Sequence, residues 1–190
     1  MFRDFFERHS ALDLITLSQS QSMEEFIGNL KGSVYFRSMW KIKDKYLSKN
    51  EQKIIAQCFG TRMDMLNLQW ICRSKKFYQL EPGEIYAMLI PIQLHLTRKE
   101  INRMVEAENL DILYGLIGAS WYGRTGPVHL DQDQDLDHLA HDIIDRIYLK
   151  TSRKDPYSIA ILNSYLYFKE REIQRIITTI EKIRYGLGAS

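Results

Sequence analysis

The chain is short of cysteine, of proline and of net charge: 190 residues hold two Cys, four Pro and a formal balance of +2. Each shortage excludes something. Cys58 and Cys72 make no C-x-x-C or other metal-type spacing, and they sit in amphipathic surroundings. Two buried, reduced thiols in a cytosolic protein are the expectation. Twenty-six Lys and Arg against 24 Asp and Glu do not select for nucleic acid, which asks for a basic excess on one face. No stretch approaches the roughly 18 to 20 apolar residues that span a bilayer. The best run, "YAMLIPI" at 86–92, is short and contains Pro91. Arg3, Asp4, Glu7 and Arg8 break up the N-terminus, so no signal peptide is expected. Work at a membrane would run through other proteins. Period-two alternation is also scarce, and the β-branched residues do not cluster in strand-like runs.

What is present is helical signal. Ser22 to Glu25 and Thr97 to Glu100 are S/T-x-x-E capping boxes. Asp155-Pro156 offers a cap and a first-turn proline to a final helix that Gly186 and Gly188 stop. The pattern predicts helices over 2–8, 11–19, 22–31, 36–47, 50–59, 61–77, 82–90, 97–105, 109–118, 135–150 and 156–185. Breaks are expected at Gly60 and Ser152–Lys154, and a loop over 123–134. The class is all-α.

The chain also repeats itself. "IGNLKGSVY" (27–35) lines up with "YGLIGASWY" (114–122), with Gly28 on Gly115, Ser33 on Ser120 and Tyr35 on Tyr122. "DMLNLQWICRSKKFYQL" (64–80) lines up with "EIQRIITTIEKIRYGLG" (172–188), placing Asp64 on Glu172, Leu68 on Ile176, Lys76 on Arg184 and Phe77 on Tyr185. The chain divides into unit one, residues 1–96, and unit two, residues 97–190. Unit one is shorter after Tyr35.

Several stretches resemble sites and lack a necessary part. "DQDQDLDHLAHD" (131–142) spaces its Asp residues like a calcium loop, but Leu136 stands where the turn needs Gly and Asp142 where a bidentate Glu is needed. His138 and His141 share a helix face, yet two imidazoles fall short of the three protein ligands of catalytic zinc. "GASWYG" (118–123) misses the nucleophile elbow by one residue and lacks the preceding strand. "LKGSVY" (30–35) inverts the Gly-Lys-Ser of a P-loop. The basic-aromatic segments 40–53 and 73–78 read better as long cationic stems over an apolar seam. The sequence therefore predicts no catalytic residue, no cofactor and no metal.

The last helix carries "YFKEREIQ", four charges inside an apolar pattern. Glu170 and Glu172 point in different directions and make no joint acid–base pair. Glu172 has Lys169 and Arg175 three residues away. Glu170 and Arg171 have no opposite charge at helical spacing, so they face water or partners on another segment or chain. Lys169, Glu170, Arg171 and Glu172 are the candidate interface residues.

"SYLYFKEREIQRIITTIEKIRYGL" (164–187) resembles the closing helix of the C/d family of V-type and archaeal-type rotary ATPase subunits, through Lys169, Glu170, Glu172, Arg184, Tyr185 and Gly186. "RMDMLNLQWICRSKK" (62–76) resembles its Asp-x-x-Asn-Leu helix, through Asp64, Asn67, Leu68 and Arg73. "LTRKEINRMVEAENLDILYGLIGASWYG" (96–123) is similar to the connection between its repeats. The resemblance implies helical units around a pseudo-threefold axis, forming a funnel that links the central shaft to the membrane proteolipid ring. It implies a non-catalytic coupling component, peripheral to the membrane on its cytoplasmic side, with ring and shaft subunits as partners. The family has three units; here a first unit looks absent. A free-standing helical-repeat adaptor is the alternative.

Overall fold

A computed structural model describes residues 33–125 and 133–185 of the chain. Eight α-helices are described: α1 (Ser33–Tyr46), α2 (Lys49–Arg73), α3 (Pro82–Met88), α4 (Arg98–Val105), α5 (Leu110–Ala119), α6 (Trp121–Thr125), α7 (Asp133–Lys154) and α8 (Ile159–Arg184). No strand occurs among the described residues, so the all-α class holds. The helices expected over 2–31, with the Ser22–Glu25 box, lie outside the described residues.

The centre of the fold is α2. Ser48 and Glu51 close a capping box at its start, each side chain taking the other's backbone N–H. Ile54, Cys58, Met65, Leu68 and Cys72 form one of its buried faces at helical spacing. Cys58, Met65, Leu68 and Cys72 join a core with Leu136, Leu139, Ile143 and Ile147 of α7 and Ile101, Leu113 and Ile117 of α4 and α5. Thr97 and Glu100 cap α4 as their spacing predicts.

Several boundaries differ from expectation, among them the loop expected over 123–134, into which α6 runs as far as Thr125 and in which α7 begins at Asp133. Gly60 does not break a helix; α2 runs through it, and the Leu94 side chain packs against it. A Cβ on Gly60 would stand 2.9 Å from Cβ of Leu94. α7 continues through Ser152 to Lys154. α8 begins at Ile159, not at Pro156: Ser158 accepts from Ala160 N, while the Asp155 carboxylate is taken by Asn50 Nδ2 at 2.6 Å. After α2 a π turn (Ser74–Tyr78) closes on Gln79 in the left-handed region at φ 49°. The chain then returns over α2 as α3 and an irregular strap, residues 89–96.

Candidate functional site

Two polar arrangements stand out, one buried and one at the surface. The buried one is a clasp. Asp64 is fully buried on α2 and points at the strap. Its carboxylate accepts from His95 N at 2.8 Å, Leu94 N at 3.2 Å, Leu96 N at 3.3 Å and the Tyr122 hydroxyl at 2.7 Å. One turn on, Asn67 bonds both ways with Ile90: it accepts from the backbone N at 2.8 Å and donates to the carbonyl at 3.0 Å. Without these two residues the strap's backbone would be buried unpaired, since it belongs to no helix. Burial pushes the Asp64 carboxyl up against the pull of its donors, and it drives the Tyr122 phenol well above its ordinary value. His95 stacks on Trp121 with ring centres 3.7 Å apart, sealing the clasp.

The surface arrangement joins α2, α7 and α8. Glu170 accepts from Arg62 Nη2 of α2 at 2.7 Å. Arg171 pairs with Asp145 of α7, which also accepts from the Tyr167 hydroxyl at 2.7 Å. The Tyr167 ring stacks on Tyr148 at 4.1 Å. The two charges without partners on their own helix thus have them on other helices of the same chain. Lys169 and Glu172 pair with each other at 2.6 Å and face outward. An open groove of about 380 Å³ follows, lined by Asp145, Phe168, Arg171, Glu172, Arg175 and Ile176.

The remaining sequence candidates find ordinary structural places. Asp137 accepts from Gln69 at 2.6 Å and from Arg73 at 3.1 Å, tying α7 to α2. His138 is exposed, and His141 bonds through Nδ1 to the Asp137 carbonyl. Among the described residues no three His, Cys, Asp or Glu gather as a metal site. Ser120 is buried and donates to the Ile117 carbonyl at the end of α5. Lys75 donates to the Ala107 carbonyl.

The ATP synthase (C/AC39) subunit family matches the chain over residues 2–190. The chain belongs to that family. It matches no curated protein and no solved structure. Both polar arrangements fall within the matched residues, so they are features of a C/AC39-family chain. No helix among the described residues is long and apolar enough to cross a membrane.

Sequence reasoning singled out Asp64 and Asn67 by resemblance but assigned them no task. The signal for one was an acid and an amide three residues apart among apolar neighbours, which demands buried donors. It missed Arg62, Asp145 and Tyr167 altogether, because their partners lie on other helices.

Proposed function

We propose that the chain is a non-catalytic coupling component of the central rotor of a V/A-type ATPase. In this reading it joins the central shaft to the proteolipid ring and transmits rotation between ATP turnover and ion movement. It sits at the cytoplasmic face and meets the membrane only through other subunits. The observation that carries this is the family match along nearly the whole chain. A helical body tied by buried polar bonds suits a part that must pass torque without deforming.

The candidate contact surface is Lys169 to Glu172. Glu170 and Arg171 anchor α8 to α2 and α7, and Lys169 and Glu172 present charge outward. Outward charges at an interface steer association and fix register.

The test is co-purification of the full chain with shaft and ring subunits, followed by ATP-driven ion pumping in a complex lacking or containing it. Pumping should require the chain. Reversing Lys169 and Glu172 together keeps their mutual pair, and should weaken co-purification about tenfold while leaving thermal unfolding unchanged. A chain that binds neither shaft nor ring would be an adaptor without a rotary role.

A further inference from the structure

Helix α8 has two apolar faces, and its own body covers one. Ala160, Ser164 and Tyr167 are buried, and Arg171 pairs with Asp145 on the same side. A second series runs along the opposite side. It begins with Leu162, Leu166 and Lys169. It continues with Ile173, Ile176, Ile180 and Ile183, in steps of four and three residues that alternate throughout. That spacing is the core pattern of a coiled coil, a period of 3.5 that keeps one seam turned toward a partner helix. All of these positions are exposed, the four isoleucines by 44 to 69 %. A helix face that meets only water carries polar residues instead. The period also identifies the visitor as a helix, since knobs at this spacing fit the holes of another helix.

We propose that α8 pairs antiparallel with α8 of a second copy of the chain, over residues 170–184. The pattern is self-complementary in that register. Ile173 meets Ile183 of the second copy, and Ile176 meets Ile180. The two-fold axis repeats both layers, so every core layer is isoleucine on isoleucine. The residues flanking the seam on one side are Glu170, Ile177 and Arg184. Antiparallel pairing sets Glu170 of each copy against Arg184 of the other, with Ile177 on Ile177 between the two ion pairs. Glu170 is open to a second donor: Arg62 bonds to its Oε1, and the side chain stays half exposed. Other arrangements fit worse. Sliding by one heptad buries Lys169 against Ile180 and sets Glu170 against Ile177. A parallel pair stacks Lys169 on Lys169 and makes no flanking ion pair, since Glu172 meets Ile177 and Thr179 meets Arg184. The buried residues of α8 end at Tyr167, so antiparallel pairing of its second half sets the two bodies at opposite ends of the joint.

A seam this short makes a small contact, so the pair is weak and concentration-dependent. The test is sedimentation equilibrium of the full chain from about 1 to 300 μM, with half-dimerisation expected on the order of 10–100 μM. Ile180→Asp should weaken association about a hundredfold, because its layer occurs twice, and should leave thermal unfolding of the monomer unchanged. Added salt should weaken the parent pair and strengthen that of Arg184→Glu, where like charges meet. Cysteines read the orientation. A mixture of Ile176→Cys and Ile180→Cys chains should oxidise to the mixed dimer, while neither chain cross-links to itself. Self-cross-linking of Ile176→Cys would mean a parallel pair and overturn the proposal. So would a dimer indifferent to Ile180→Asp or to Arg184→Glu, or a chain that is monomeric throughout. In the monomeric case, lost stability in Ile180→Asp would put another segment of the same chain on the seam. Unchanged stability would leave the seam to a different polypeptide. The proposal does not rest on the rotor reading: self-association and co-purification with shaft or ring are separate measurements, and either can fail alone.

Discussion

Arg62 and Glu170 meet at 2.7 Å across 108 residues of chain. The pair ties the central helix to the last one. Each side chain is a third to a half exposed, so the bond is screened and modest. Reversing either charge alone should cost about 1 kcal/mol, and the swap Arg62→Glu with Glu170→Arg should recover most of it. Urea unfolding of the four proteins measures the coupling. Equal loss in the swap and in the singles would mean that Arg62 acts through its contact with the Tyr167 ring instead.

Asp64 anchors the strap by charge. Asp64→Asn puts an amide NH2 among the N–H groups of Leu94, His95 and Leu96 and should destabilise the fold by about 2–4 kcal/mol. Tyr122→Phe removes one donor and should cost about 1–2 kcal/mol. Hydrogen exchange reads the effect locally: the amides of residues 94–96 should lose protection first in Asp64→Asn. Uniform loss across α2 would place the damage in the core.

Gly60 is a packing glycine. Gly60→Ala brings a methyl to 2.9 Å from Leu94 Cβ and should cost about 1–3 kcal/mol. Adding Leu94→Gly, which removes that Cβ, should relieve the clash. A Gly60→Ala chain at least as stable as the parent, judged by thermal unfolding, would show that the strap yields freely.

The capping boxes predict an acid limb. The Thr97 hydroxyl and backbone N–H hold Glu100 below its ordinary range, and Ser48 does the same for Glu51. A lowered folded value means this stability is present above the unfolded Glu value of about 4.3 and is lost as pH falls through the folded values below it. Stability measured from neutral pH to pH 3 should therefore fall less steeply in Glu100→Gln than in the parent. An unchanged slope would leave the box without energetic weight.

The helical class, most helix bodies and the Thr97 cap were legible because each is a local pattern. The errors came where distant chain decides. Gly60 reads as a stop only if nothing packs on it, and Leu94 lies 34 residues away. Asp155-Pro156 reads as a helix start until Asn50 claims the carboxylate. Glu170 and Arg171 were visible as charges lacking helical neighbours, but Arg62 and Asp145 could not be named from spacing. Tertiary pairing of that kind leaves no period in a sequence.

The buried residues of α8, Ala160, Ser164 and Tyr167, all fall in its first half, while Ile173, Ile176, Ile180 and Ile183 are 44 to 69 % exposed. Mechanically the second half of the helix is a cantilever, clamped at mid-helix by Arg62 and Asp145. At 1.5 Å per residue the arm beyond Arg171 reaches roughly 20 Å. A load on its tip acts with that leverage on the two salt bridges at the clamp, so a small push there is felt by α2 and α7 as a turning moment.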